Sequence, residues 1–222
     1  MLHLPISTIE SQPVPFGESL IAEIFGIMYY YSDHTWNNCV TRWMGVPVFQ
    51  SPLDLWILQE IIVETQPDVI IETGTAFGGT ALYMACCFDG KVITIDSKAD
   101  DIKVEFEHDR IEFLVGDSIA PEIIEKIKPL VEGMRTMVLL DSDHRTDYVR
   151  REIELYHKFV SQGCYMVVHD TLLGGHPIAL EPDMNPYQAV QEFLEKHADF
   201  GVDKSREKFY ATFSPSGWLR RM

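Results

Sequence analysis

Two short clusters in the sequence hold the side chains from which a cation site and a proton acceptor are built. In LLDSDH, residues 139–144, an apolar run ends on Asp141 and is followed at once by Asp143 and His144. In VVHDT, residues 167–171, a second apolar run ends on His169 and Asp170. If the two runs are neighbouring parallel strands, their carboxyl ends bring Asp141, His169 and Asp170 together as three metal ligands. Carboxylates suit magnesium or manganese, whereas the imidazole of His169 admits a softer divalent metal. A bound cation lowers the pKa of a hydroxyl and orients its oxygen. His144, three residues past Asp141, is placed to take the released proton as general base. Asp143 we assign to capping the helix that begins near Arg145, because a short acid there accepts from free amides. His3, His34, His108, His157, His176 and His197 show no comparable pairing.

A second kind of chemistry is written at IIETGTAFGGTAL, residues 70–82. Gly74, Gly78 and Gly79 let a turn adopt backbone angles closed to other residues and offer amides, with that of Thr75, to a ligand at a helix start. The spacing is not the GxGxxG of dinucleotide folds, and Glu72, two residues before Gly74, suits a ligand bearing an ammonium group. Asp96, roughly 20 residues further on, stands where an acid receives ribose hydroxyls. Asp117 and Ser118, after Gly116, are placed to meet an adenine or its ribose. Together these positions predict a pocket for an adenosine-bearing ligand.

Such side chains need elements to position them, and the chain supplies an alternation of strand-like and helical runs. DVIIETG (68–74), KVITID (91–96), IEFLVGD (111–117), TMVLLD (136–141) and CYMVVHD (164–170) read as strands, and four of the five end on an acid. GGTALYMACCF, APEIIEKIKPLV, RTDYVRREIELYHKFVSQ and PYQAVQEFLEKH have helical spacing, with Val149, Ile153, Tyr156 and Val160 on one face. The alternation predicts an α/β fold, a mostly parallel sheet with helices on both faces, and EKFYATFSP (207–215) reads as a late antiparallel strand at its edge. Ligands in such sheets bind outside the carboxyl ends of the strands, where these acids lie. The first fifty residues differ: a helical ESLIAEIFGIMYY, then an aromatic-rich YYSDHTWNN. We expect residues 1–50 to form a cap or oligomer arm and 51–222 the main domain.

Bulk properties narrow the partners. A chain of 222 residues with 46% hydrophobic content has enough material for one full core. Its formal charge of −16 repels phosphate backbones and anionic membrane surfaces, so nucleic acid and membrane are not expected partners. No signal-peptide pattern or membrane-length apolar run is evident, so a cytoplasmic protein is expected. The four cysteines, Cys39, Cys86, Cys87 and Cys164, lack zinc-site spacing and read as reduced thiols.

The runs WMGVPVFQSPLDLWILQEIIVETQPDVIIETGTAFGGTALYMA, VGDS, LLDSDH, YVRREIELYHKFVSQGCYMVVHDT and TFSPSGWLRR, taken together, resemble the cephalosporin hydroxylase and rhamnosyl O-methyltransferase family. The resemblance spans about residues 40 to 222. It implies a Rossmann-like methyltransferase fold with a seven-stranded sheet, S-adenosylmethionine as methyl donor and a divalent metal. It also implies His144 as catalytic base and a hydroxylated small molecule, such as a sugar, as substrate. Two positions depart from the family: His169 replaces a usual Glu before Asp170, and Gln50 stands where a basic residue is usual. The segment 172–186, with Gly174 and Gly175, suits a flap over the substrate. A homo-oligomer is expected. Two other readings stay open: a non-haem iron hydroxylase using Asp141, His144 and His169, and a non-catalytic subunit that binds the nucleoside and a partner enzyme.

Overall fold

The computed structural model describes residues 18–32, 41–97 and 104–222. His3, His34 and Cys39, and most of the aromatic stretch at 30–38, lie outside the described residues. Helix α1 (Glu18–Tyr30) is followed by a hairpin of β1 (Arg42–Trp43) and β2 (Val46–Pro47) and by α2 (Pro52–Thr65). Then come β3 (Val69–Thr73), α3 (Gly79–Cys87), β4 (Lys91–Asp96), β5 (Ile111–Val115), α4 (Pro121–Val131), β6 (Thr136–Leu140) and α5 (Thr146–Tyr156). The chain closes with β7 (Tyr165–Val168), α6 (Pro186–Leu194), β8 (Phe200–Val202) and β9 (Trp218–Arg221).

Seven strands form one sheet in the order β5-β4-β3-β6-β7-β9-β8, parallel from β5 through β7. Its strands are apolar on both faces because helices cover both. Ile71, Ile95, Val138, Leu140 and Val168 pack against Ile123, Ile127, Val149, Ile153 and Phe193 of α4, α5 and α6. Their alternate neighbours Ile70, Val92, Met137, Leu139 and Val167 pack against Leu58, Ile61, Ala81 and Met84 of α2 and α3. This period-two division of each strand between two cores is what a doubly covered sheet requires. Among the described residues no helix is long and apolar enough to cross a membrane.

Two differences from the sequence reading have physical causes. Helix α2 went unassigned because Leu55, Ile57, Leu58, Ile61 and Ile62 are buried while Trp56 and Val63 are exposed, so apolar residues surround the axis and blur its period. Its start is nonetheless marked: Ser51 accepts from the amide of Leu53, and Pro52 takes the first turn, where no amide partner is needed. The late antiparallel strand is not EKFYATFSP but WLRR: β9 inserts between β7 and β8, antiparallel to both. The segment 207–215 cannot hold a ladder, because Tyr210 sits at φ +66°, the amide of Phe213 bonds Asp54, and Pro215 offers no donor.

Candidate active site

The glycine turn after β3 is held by direct backbone contact on two sides. Gly74 has φ +88°, and a Cβ there would lie 2.0 Å from the carbonyl oxygen of Asp141. At Gly79 a Cβ would lie 2.0 Å from the carbonyl oxygen of Pro47 in the hairpin. The turn is therefore wedged between the hairpin and the end of β6, which brings the donor-type turn against the acid cluster. Asp96, at the end of β4, accepts from the amides of Thr75 (3.1 Å) and Ala76 (3.0 Å). Thr75 Oγ1 meets Thr94 Oγ1 at 2.7 Å, and Thr94 donates to Glu72 at 2.6 Å.

A cavity of about 770 Å³ opens at the carboxyl ends of the strands. Gly74, Thr75, Gly79, Asp96, Asp117 and Ser118 lie on its wall, and so do Asp141, His144 and Asp170. Glu72, Gly78 and His169 do not line it. Glu72 is buried on β3, and burial, with the charge of Asp96, pushes its carboxyl up to about 8. Gly78, at φ +73°, lets the chain turn into α3 beside Val104 and Phe106.

The parallel pairing of β6 with β7 brings the two sequence clusters together, and the group whose ligand atoms converge is Asp141, His144 and Asp170, all within 4.8 Å of one another. His144 Nε2 lies 3.2 Å from Asp170 Oδ2. Asp170 reaches this point through a left-handed backbone at φ +54°, a conformation a short polar residue tolerates better than most. His169 was expected in the group, and the structure places it elsewhere. It follows Val168, whose side chain enters the α4–α6 core, so strand alternation sends the imidazole to the opposite side, edge-on to Trp218. There Nδ1 meets Ser214 Oγ at 3.2 Å and Nε2 has no hydrogen-bond partner. Burial pushes its pKa down to about 3, so the ring is neutral. Asp143 was expected to cap α5, but Arg145 holds the N-cap position and no side chain caps it; Asp143, two residues earlier, accepts from the amide of Arg145 at 2.8 Å and pairs with its guanidinium.

The electrostatics favour a cation. Burial, followed by the charges of Asp170, Glu72 and Glu152, holds Asp141 well above the usual carboxylate range, against one opposing hydrogen bond from Gln50. Burial raises Asp170 too, opposed by His144. Two facing carboxylates and one imidazole are a ligand set that a divalent cation fits, since its charge replaces the repulsion with attraction.

Ser142, Tyr148 and Glu152 are contributors that the sequence alone did not reveal, and Gln50 stood out there only as a departure from the family pattern. Gln50, buried, donates to Asp141 Oδ2 at 2.6 Å. Tyr148 donates to Asp117 Oδ1, and Ser118 and Ser142 both donate to Glu152 Oε1. Burial pushes Glu152 up to about 7. Tyr148, Glu152 and Tyr156 follow one another at intervals of four along α5, a spacing that would have put them on one helix face.

A parallel sheet ending in an antiparallel pair, with a glycine turn after β3 and acids at the following strand ends, is the fold shared with solved structures of O-methyltransferases. Comparison with known proteins narrows the class. The family model for rhamnosyl O-methyltransferase/CmcI matches residues 34–222, and the chain belongs to that family. The rhamnosyl O-methyltransferase of Mycobacterium leprae is 35% identical over 202 residues, covering 87% of each chain. That of Mycobacterium tuberculosis (strain H37Rv) is 35% identical over 204 residues, covering 87% of this chain and 82% of its own. Among solved structures, CmcI with magnesium and S-adenosylmethionine superposes with a TM-score of 0.64 at 19% identity, over 86% of this chain and 79% of that one.

Proposed function

We propose that this chain transfers the methyl group of S-adenosylmethionine to a hydroxyl of a sugar or similar polyhydroxylated small molecule, with a divalent cation at Asp141 and Asp170. The observation that carries the reading is the convergence of Asp141, His144 and Asp170 on the same cavity wall as the glycine turn, Asp96 and Asp117. The relatives named rhamnosyl O-methyltransferases support a sugar acceptor.

S-adenosylmethionine supplies a methyl group on a positive sulfonium, which an oxygen nucleophile displaces in line. A divalent cation, when bound, lowers the pKa of a nearby hydroxyl and fixes its oxygen. What the chain itself does follows from its side chains. The turn at Gly74 and Thr75, with Asp96, Asp117 and Ser118, holds the donor. Asp170 Oδ2 faces His144 Nε2 at 3.2 Å and so orients the imidazole that would accept the hydroxyl proton. Positioning both partners in one cavity supplies much of the rate.

A second duty for His144 rests on the same distances: its imidazole is near enough to both carboxylates to be the third ligand itself. A ligand role would tilt the site toward manganese, cobalt or zinc.

Calorimetry of the purified protein with S-adenosylmethionine and with NAD, each with and without manganese, tests the reading. Binding of the methyl donor alone, followed by methyl transfer to a rhamnosyl glycoside, is expected. No donor binding under any of these conditions removes the proposed function.

A further inference from the structure

Helix α5, packed on one face of the sheet, bonds to loops that follow two strands the sheet itself does not pair. Ser118 follows β5 and Ser142 follows β6, and β4 and β3 lie between those strands. Three strand spacings of about 4.8 Å put those strands roughly 14 Å apart, linked only through β4 and β3, and among the described residues no backbone hydrogen bond joins the two loops directly. The side chain of Glu152 does join them. Its Oε1 accepts from Ser118 Oγ and from Ser142 Oγ (2.7 Å), and its carboxylate also meets the side chain of Thr73 at the end of β3. The same helix face grips the donor side twice more: Tyr148 OH bonds Asp117, and Tyr156 OH donates to the carbonyl of Ser118 at 2.8 Å.

Ser118 and Ser142 both line the cavity, one beside Asp117 and the other next to Asp141, whereas Glu152 does not reach it. A solvating or ion-pairing role is a poor account of a side chain only 1% exposed whose hydrogen-bond partners are hydroxyls. A buried acceptor shared by two loops instead fixes their separation, and removing it leaves two hydroxyls to find other partners.

We infer that Glu152 is a positioning residue that sets the distance between the donor-binding loop at Asp117–Ser118 and the cation-binding loop at Asp141–Ser142. It acts through the two serine hydroxyls that it receives on one oxygen. The inference rests on the proposed methyl-donor and cation sites, but it concerns how they are held in register.

The test uses the full chain and two probes, S-adenosylhomocysteine by calorimetry and Mn(II) by the loss of its free-ion electron paramagnetic resonance signal. Glu152→Gln keeps an acceptor oxygen within reach of both serines and is expected to bind both probes within about threefold of the unaltered protein. Glu152→Met keeps the volume but loses the acceptor. It is expected to weaken both probes by about tenfold or more, the range seen when groups supporting a ligand-holding residue are removed. A purely structural role would lower the melting temperature without separating Gln from Met in affinity for the folded protein. If the Met variant does not fold, Glu152→Asp keeps the charge on a side chain one methylene too short, and the same double loss is expected. Wild-type affinity in the Met or Asp variant, loss of one probe only, or equal losses in the Gln and Met variants would overturn the inference. Failure of the unaltered protein to bind S-adenosylhomocysteine would instead strike the proposed function beneath it.

Discussion

The two ends of the cavity satisfy their polar groups in opposite ways. On the proposed donor side, charge is met within the protein: Asp96 takes two turn amides and Asp117 takes the hydroxyl of Tyr148. On the proposed cation side, Asp141 and Asp170 face each other with an amide from Gln50 and an imidazole from His144 for company. The first arrangement is a mould formed before its ligand arrives. The second holds repulsion that a counter-charge relieves. Gln50 fits the second: a neutral donor satisfies one lone pair of Asp141 without cancelling the charge that a cation needs.

The contrast is broken most completely at Asp141. Asp141→Asn should abolish manganese binding and cut methyl transfer by more than about a hundredfold, since even supporting residues of a metal site are worth 10- to 100-fold. It should at the same time raise the melting temperature of the metal-free protein by a few degrees, because it removes one of two repelling charges. A fall in that temperature, measured by calorimetry without metal, would show that the repulsion is not there. Next in size, His144→Ala should lower kcat by roughly 10²- to 10⁴-fold, the usual worth of a general base. Metal analysis of the variant should find the cation retained. Loss of the metal would assign His144 to ligation instead.

The smallest effect sharpens the boundary between the two ends. Glu72 lies between them, raised by burial and by the charge of Asp96 and itself raising Asp141. In the folded protein it keeps its proton up to about 8, against 4.5 as the ordinary value. The folded state therefore holds the extra proton across that window, and its stability should fall as pH rises from about 5 to about 8. Glu72→Gln, which still accepts from Thr94, should flatten this part of the profile. Denaturant midpoints taken across the window check it, and parallel profiles for both proteins would contradict the assignment.

Much of the fold was legible because buried parallel strands write themselves as short apolar runs, and four of those runs ended on acids that became cavity residues or their supports. Asp141 and Asp170 could be paired from sequence because two such runs proved to be neighbours. His169 could not be placed, since one step of strand alternation decides which face a side chain takes and the left-handed turn at Asp170 is invisible in the letters. Glu152 was hidden for a different reason: an acid on an amphipathic helix reads as solvated, and only the loops above α5 reveal that it is enclosed. Helix α2 was obscured by its own hydrophobicity. The late strand was misplaced because the aromatic run EKFYATFSP reads as a strand, whereas Tyr210 at φ +66°, the Phe213 amide bonded to Asp54 and Pro215 keep it out of the ladder that WLRR enters.

The contact between Gly79 and Pro47 has one more outcome. With no space for even a methyl group between them, hairpin and turn pack backbone to backbone, and Pro47 and Phe49 form the cavity wall beside that contact. The cavity is also bordered by Met184, and the preceding residues 179–183 are exposed. Under the proposed function, substitutions in that stretch should change which acceptor is taken with less effect on the methyl donor than substitutions in the hairpin, which is packed against the glycine turn.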